Sequence, residues 1–151
     1  MMKTISPSTK TVRIAKGTPD SSTDRKIVQI DVSRPPSTNR IWRGKTTRNG
    51  RFVIYKSPSY QAWLREFWGE WALQKPHGFQ TIKGPFKATL LIQQGKRHAD
   101  LGNYEKAMLD AAQATAIISN DRNARETLLK FVGESEAPKG ARLILEEIND
   151  T

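Results

Sequence analysis

The positive charge of this chain is concentrated in its first 60 residues. The 151-residue sequence carries 25 lysines and arginines against 15 aspartates and glutamates, a net charge of +10. Residues 1–60 hold 13 of the basic side chains and 3 of the acidic ones, whereas residues 61–151 hold 12 of each. Such a concentration is typical of a surface that binds a polyanion, above all nucleic acid and less often an anionic membrane. The alternative is a basic tail that only improves solubility.

Residues 1–25 are predicted to form a disordered basic tail. They are rich in serine, threonine, lysine and proline, and their isolated apolar residues follow no lasting period. Such a segment cannot bury enough apolar surface to offset the conformational entropy lost on ordering. The predicted organisation is therefore a tail over residues 1–25 and one folded domain over residues 26–151, a length that suits a single core.

The cysteine and histidine contents limit the chemistry available. The chain has no cysteine, which excludes disulfides, thiol nucleophiles and cysteine-based zinc sites. Its two histidines are too few for a three-histidine zinc site within one chain. A catalytic metal must then be held mainly by oxygen atoms, which favours magnesium or manganese. The sequence shows neither an apolar stretch long enough to span a membrane nor an N-terminal secretory signal peptide. We therefore expect a cytoplasmic protein that does not enter membranes.

Apolar periodicity predicts a small α+β domain. Alternating apolar residues indicate strands over residues 27–32, 86–92, 126–132 and 142–148, and the Asn-Gly pair at 49–50 predicts a hairpin that returns over residues 52–55. Helical spacing indicates one helix that starts after Ser57 and a second from about residue 101 to residue 117. The predicted architecture is a small mixed sheet with two main helices packed on it.

The first predicted helix carries a stripe of large apolar side chains at helical spacing. Its members are Tyr60, Trp63, Leu64, Phe67, Trp68 and Trp71. Aromatic side chains in such a stripe can stack on nucleic-acid bases, but packing against a sheet is their commoner use. We therefore assign the whole stripe to the core.

Polar side chains that could bind a metal ion or take part in catalysis are concentrated before and along the second predicted helix. Asp100 lies where the strand over residues 86–92 and its basic exit, with Lys96 and Arg97, give way to that helix. An aspartate at such a point caps free backbone N–H groups or binds a metal ion. One face of the helix then carries Asn103, Lys106 and Asp110. The alternative interpretation is an N-capped helix with ordinary surface polar groups.

Asp121 lies in the turn that follows this helix. A helix of about 17 residues is about 25 Å long. Asp100 and Asp121 therefore meet only if the helix is shorter or bent, or if the next strand returns the turn beside Asp100.

Three segments have the order and spacing of motifs in one nuclease family. Residues 35–40 (Pro-Pro-Ser-Thr-Asn-Arg), followed by Trp42 and Arg43, are similar to that family's Pro-Pro-Ser-x-Asn-Arg opening after the first strand. Residues 97–111 are similar to its basic run before Asp-Leu-Asp-Asn-x-x-Lys-Ala-x-x-Asp-Ala, and residues 117–121 to its Asp-Asp pair after the helix. The chain thus resembles, from about residue 27 to residue 148, the RusA family of Holliday junction resolvases of phages, prophages and bacteria.

The resemblance implies a homodimeric α+β nuclease that binds four-way junctions and other branched DNA. It implies metal-dependent hydrolysis of phosphodiester bonds in recombination and repair, with Mg²⁺ or alternatively Mn²⁺. By position, Asp100 and Asp121 become catalytic metal ligands, and Lys106 becomes a catalytic cation near the scissile phosphate. With the neighbouring basic stretches, the side chains expected to contact DNA are Asn39, Arg40, Arg43, Lys45, Arg48, Lys96, Arg97 and Asn103.

The sequence departs from the family pattern at two acidic positions. Gly102 replaces the second aspartate of the helix motif, and Asn120 replaces the first residue of the acidic pair. Losing a carboxylate weakens metal binding, although magnesium keeps several waters and often needs only one or two carboxylates. The alternative function is a catalytically impaired branched-DNA-binding protein of the same fold. A weaker alternative, without the resemblance, is a small phage accessory or structural protein whose tail touches DNA.

Overall fold

The structure is a computed structural model that describes residues 26–37, 41–95 and 100–148. The predicted tail lies outside these ranges, as do four of the side chains expected to contact DNA, namely Asn39, Arg40, Lys96 and Arg97. Strands in the described ranges are β1 (Ile27–Val32), β2 (Trp42–Thr46), β3 (Phe52–Lys56), β4 (Phe86–Gln93), β5 (Ala124–Val132) and β6 (Ala141–Glu147). The α-helices there are α1 (Pro58–Gln74) and α2 (Glu105–Ala114). The predicted α+β class is confirmed.

Strands β1, β6, β4 and β5 form one mixed sheet in that order. β6 pairs antiparallel with both β1 and β4, whereas β4 and β5 are parallel, with Phe86 opposite Ala124. Parallel strands need a crossover connection, and here the crossover contains α2. The chain therefore leaves the far end of β4, passes through α2 and returns to the edge at which β4 begins. Asp100 precedes α2 and Asp121 follows it.

Both helices pack on one face of this sheet, as the sequence predicts. Alternate strand residues are almost fully buried there: Val28, Ile30, Val32, Phe86, Ala88, Leu90, Ile92, Ala141, Leu143 and Leu145. The buried side chains of α1 and α2 belong to the same apolar cluster. A strand directs every second side chain to one face, so the alternation in the sequence defines this core.

Helix α1 begins where the sequence predicts. The Oγ atom of Ser57 accepts a hydrogen bond from the backbone N–H of Tyr60 at 3.2 Å, and Pro58 occupies the first turn. The helix buries Tyr60, Trp63, Phe67 and Trp71. Trp68, however, is 50% exposed, so its assignment to the core was wrong. It follows Phe67 by one residue, which rotates its side chain about 100° away from the buried stripe.

The second helix is shorter than predicted. In place of one helix over residues 101–117, a 3₁₀ turn (Leu101–Tyr104) precedes α2, which ends at Ala114. Ala116 has a left-handed backbone with φ of 62°. The N–H of Ile117 donates to the carbonyl of Ala112 at 2.9 Å, and that of Ala116 to Gln113 at 3.1 Å. These bonds form the Schellman motif that closes a helix.

No helix in the described ranges has both the length and the apolar character needed to cross a membrane.

Strands β2 and β3 form a separate antiparallel pair, as the hairpin signal predicts. At its tip the N–H of Gly50 donates to the carbonyl of Thr47 at 2.9 Å, and Gly50 has a φ of 83°. A left-handed glycine is typical of three-residue hairpin loops. All five residues of β2 and three of the five in β3 are exposed. We call residues 42–56 the basic ribbon.

Replacing Ala116 by glycine is expected to raise the free energy of unfolding by about 1 kcal/mol. Glycine adopts a positive φ without the steric cost that the Cβ of alanine causes. The matched control is Ala114→Gly, because Ala114 is also exposed but lies within the helix. Glycine there is expected to lower the free energy of unfolding by roughly 0.5–1 kcal/mol. Urea denaturation measures both values, and changes of the same sign would contradict the assignment of Ala116 as the helix stop.

Candidate functional site

Lys106 lies between two carboxylates. It belongs to the first turn of α2, Asp110 lies one turn later, and Asp121 opens a 3₁₀ turn (Asp121–Asn123) after the helix. The Lys106 Nζ atom is 3.1 Å from Oδ1 of Asp110 and 3.6 Å from Oδ2 of Asp121. The fold thus joins Lys106 and Asp121, which the sequence predicts in one site, and adds Asp110. We call these three residues the lysine–aspartate cluster.

Asp121 is positioned by contacts on both sides of the segment that follows α2. Ile118 forms an isolated parallel bridge with Ile82, and the N–H of Ser119 donates to the carbonyl of Ile82 at 2.9 Å. The N–H of Asp121 itself donates to the side-chain oxygen of Gln113 at 2.9 Å. These bonds attach the segment to the chain before β4 and hold Asp121 beside the last turns of α2.

Asn120, which replaces an acid of the family pattern, has a structural role here. It is the N-cap of the second 3₁₀ turn, and its Oδ1 atom accepts a hydrogen bond from the N–H of Arg122 at 2.9 Å. Asparagine and aspartate are equally good N-caps. The asparagine therefore removes a negative charge and keeps the turn that carries Asp121.

The charges of the cluster favour a permanently protonated lysine. The hydrogen bond with Asp110 is the largest cause that raises the pKa of Lys106, and the charges of both aspartates add to it. The Lys106 side chain is 52% exposed, whereas the two carboxylates are largely buried. An ammonium held in this way stays charged at neutral pH and remains accessible to an anion from solvent.

Tyr60 connects the cluster to the basic ribbon. It is fully buried, and burial, with a smaller contribution from the charge of Asp110, raises the pKa of Tyr60 to about 12. Its hydroxyl has no hydrogen-bond partner among the described residues. The Nζ atom of Lys56, the last residue of β3, lies 5.1 Å from the centre of the Tyr60 ring. The last residue of the ribbon therefore lies against a buried phenol whose pKa responds to the charge of Asp110.

Asp100 lies before the 3₁₀ turn that leads into α2, whereas Asp121 lies beyond the other end of the helix. Asp100 is exposed, and its side chain makes no capping hydrogen bond. Its carbonyl accepts a hydrogen bond from the N–H of Asn103 at 2.9 Å, which orders the turn. The predicted sharing of one metal ion by Asp100 and Asp121 stays a prediction.

Gly102 belongs to the same 3₁₀ turn and faces open space. A Cβ atom added there would meet no heavy atom of the described residues within 4 Å outside its immediate neighbours. The position therefore has room for the carboxylate that the family pattern places there.

The remaining predicted DNA contacts divide into two places. Arg43, Lys45 and Arg48 are exposed on the basic ribbon, where solvent reaches their charged groups. Asn103 is half-buried in the 3₁₀ turn beside Asp100. The ribbon therefore presents a cationic surface, and Asn103 belongs to the approach to α2.

The donor set of the site fits a hydrated magnesium or manganese ion. Asp110 and Asp121 offer hard oxygen ligands that approach the same ammonium, so two carboxylates are already close together. Among the residues that the structure describes, no group of three or more acidic or histidine side chains could hold a metal ion. Magnesium binds through one or two carboxylates while keeping several waters. The described residues thus offer two carboxylates, both paired with the Lys106 ammonium, and no group of three protein ligands.

The site residues predicted from the sequence do not include Asp110. The sequence places it on the helix face of Lys106, and its position four residues after Lys106 is the signal that identifies it, because such side chains meet on a helix. Tyr60 could be assigned to the core by periodicity, but its proximity to Asp110 depends on how α1 packs against α2.

No protein-family model and no curated protein sequence matches this chain. The resemblance stated above rests on its three motifs, and function is inferred from the site.

Tyr60→Phe is expected to protect the protein against alkaline unfolding. The phenol ionises near pH 10 in the unfolded chain and only near pH 12 in the folded one, so unfolding releases a proton in between. The stability contributed by the neutral phenol is therefore complete below pH 10 and is lost as the pH rises to 12. Phenylalanine removes that loss, together with a buried hydroxyl that lacks a partner.

Chemical denaturation between pH 9 and pH 12 measures this effect. The matched control is Tyr55→Phe, because Tyr55 is exposed on the ribbon and its replacement should leave the alkaline decline unchanged. An equal decline in the two variants would show that Tyr60 does not contribute to it.

Proposed function

We propose that this protein is a metal-dependent, structure-specific endodeoxyribonuclease that cuts four-way and other branched DNA by hydrolysing phosphodiester bonds. The observation that carries the proposal is the 3.6 Å contact between Lys106 and Asp121, two predicted catalytic residues from separate elements. An ammonium beside hard oxygen ligands suits phosphodiester hydrolysis, in which negative charge on the phosphate must be stabilised.

Lys106 is assigned the role of stabilising the phosphate. Its half-exposed ammonium can approach a non-bridging phosphate oxygen while it keeps its ion pair with Asp110. A lysine ammonium is protonated at neutral pH and the carboxylates raise its pKa further, so this stabilisation does not depend on a proton transfer. Asp110 is therefore a positioning residue for Lys106.

Asp121 is assigned to the metal ion, with Asp100 or Asp110 as the second carboxylate. A bound magnesium or manganese ion supplies a more acidic water and neutralises phosphate charge. The chain contributes the rigid placement of Asp121, which the hydrogen bond to Gln113 provides at 2.9 Å. Asp100 contributes an exposed carboxylate before the 3₁₀ turn that leads into α2.

The basic ribbon is assigned to substrate binding. Lys56 at its end lies 5.1 Å from the ring of Tyr60, and the charge of Asp110 acts on the Tyr60 phenol, which supports placing the bound phosphates on the same side of the molecule as the proposed catalytic groups. The RusA resemblance supports Holliday junctions as the substrate and recombination and repair as the process, in the cytoplasm of a bacterial host. It also supports a homodimer, since a two-fold symmetric junction suits paired sites.

A second candidate is a protein of the same fold that binds branched DNA without cutting it. Two observations favour it: Gly102 stands in place of a carboxylate, and Lys106 forms an ion pair with both aspartates of the cluster. The ammonium neutralises part of the charge that would attract a metal ion.

Asp121→Asn is expected to lower the rate of junction cleavage by roughly two orders of magnitude or more, because a metal ligand contributes several kcal/mol to catalysis. Binding of the junction should be retained or tightened, since a negative charge near the phosphates is removed.

The matched control is Glu136→Gln, which replaces an exposed acid in the turn between β5 and β6. A synthetic four-way junction with Mg²⁺ or Mn²⁺ serves as substrate. Wild-type protein that retards the junction without nicking it would support the second candidate, and cleavage by the variant at the wild-type rate would refute the role of Asp121.

Gly102→Asp is expected to lower the metal concentration needed for half-maximal cleavage several-fold. The substitution adds a carboxylate two residues from Asp100 at a position with open space. Gly133→Asp is the matched control, because Gly133 is also exposed and also faces open space. Titration of Mn²⁺ into the cleavage reaction compares the variants, and equal metal requirements would argue against a metal site near Asp100.

A further inference from the structure

The basic ribbon carries positive charge without any acidic neighbour in the sequence. Five lysines and arginines lie in residues 42–56, and no aspartate or glutamate occurs between Asp31 and Glu66. Two of these cations contact aromatic rings: Nζ of Lys45 lies 5.6 Å from the centre of the Tyr55 ring, and Nζ of Lys56 lies 5.7 Å from that of Trp42. The ribbon thus combines positive charge and aromatic side chains in one exposed element.

The strand register divides the ribbon into two faces. Directly opposite residues of an antiparallel pair point to the same side. The pairs of Trp42 with Lys56, of Gly44 with Ile54 and of Thr46 with Phe52 form one face. The pairs of Arg43 with Tyr55 and of Lys45 with Val53 form the other. The first face is mainly apolar and aromatic, and we call it the aromatic face; the second, which carries Arg43 and Lys45 beside Tyr55 and Val53, we call the cationic face.

The aromatic face is open to solvent. Trp42 is 46% exposed, Phe52 63% and Ile54 64%. The Phe52 ring lies over Gly44, where a Cβ atom would approach its Cζ atom within 2.4 Å. A side chain at position 44 would occupy the space that the ring now fills. The glycine therefore allows Phe52 to lie across the strand beside Ile54.

The foot of the ribbon is fixed to the core. Ile41 and Ser57, which flank the ribbon, are fully buried, and the N–H of Ser57 donates to the carbonyl of Ile41 at 2.6 Å. Ser57 is also the N-cap of α1, so β3 continues into the helix without a flexible linker. A ribbon with a rigid foot and two exposed faces presents its side chains in a fixed direction.

We infer that the ribbon is a base-stacking arm, whose aromatic face receives unpaired nucleotides of branched DNA while its cationic face and tip hold the adjoining phosphates. This inference rests on the proposed function in one respect, that DNA is the ligand. Unpaired bases have free π-faces that stack on aromatic side chains, whereas duplex bases are already stacked on one another. A branch point offers such bases where its base pairs open.

The positive charge of the ribbon favours a nucleic acid over a second copy of the chain as the ligand. Two ribbons that docked on each other would bring the five cations of each together without a neutralising acid from either ribbon. A nucleic acid supplies the missing negative charge along its backbone and an aromatic surface in its bases.

The test compares the affinities of the full-length protein for a dT oligonucleotide, a duplex and a four-way junction, without divalent metal, by fluorescence anisotropy. Trp42→Ala and Phe52→Ala are each expected to weaken binding of the dT oligonucleotide by roughly 5- to 100-fold, the loss typical of a base-stacking aromatic residue. Duplex affinity should stay close to the wild-type value. Lys45→Gln should instead reduce the salt dependence of binding for every DNA.

Trp68→Ala is the matched control, because Trp68 is 50% exposed but lies on α1, outside the ribbon. It is expected to leave all affinities unchanged, and Trp42→Phe is expected to retain most of the dT affinity. Equal dT affinities of Trp42→Ala and Trp68→Ala would overturn the inference. Reduced self-association of Trp42→Ala in sedimentation, with unchanged dT affinity, would overturn it in favour of a contact between copies.

The outcomes separate this inference from the proposed function. If the wild-type protein cuts junctions and Trp42→Ala binds dT as tightly as the wild type does, only the stacking arm is refuted. A wild-type protein that binds none of the three DNAs would refute both.

Discussion

The candidate site depends on the point at which α2 ends. A helix that continued over residues 101–117 would be about 25 Å long and would carry its following turn away from Lys106. The left-handed backbone of Ala116 closes the helix at Ala114 instead, and the bridge between Ile82 and Ile118 directs the chain back along it. Asp121 then lies within reach of the Lys106 ammonium. A backbone conformation at one alanine thus determines which charged groups meet.

The ammonium of Lys106 has two effects that oppose each other. It offers a half-exposed positive charge to a phosphate, and it neutralises the carboxylates that would attract a metal ion. Catalysis requires the phosphate or the metal to replace one of its ion pairs. Because the pair with Asp110 is shorter and lies within one helix, the contact with Asp121 is the one more readily exchanged. The same geometry therefore supports a nuclease and also explains how a non-cutting relative of such an enzyme would remain stable.

The exposed positive charge of the ribbon and the lysine–aspartate cluster occupy distinct parts of the fold. The ribbon stands outside the main sheet and has no acid of its own, whereas the acids of the cluster lie on and after α2. Tyr60 lies between them, with Lys56 near its ring and Asp110 near enough for its charge to raise the pKa of the phenol. In the proposed function, this division lets one element hold DNA while the other acts on its phosphates.

The amino-acid sequence by itself determined the strands, the start of α1 and the ribbon turn, because each depends on local signals: alternation, the cap at Ser57 and the glycine at position 50. The resemblance also predicts that Lys106 and Asp121 belong to one site, and the structure places their charged groups 3.6 Å apart. The tertiary structure was needed to bring Asp121 within 3.6 Å of Lys106 and to pack Tyr60 close to Lys56 of the ribbon. Those outcomes depend on where a helix stops and how helices pack on the sheet, and such long-range contacts leave no periodic trace in the sequence.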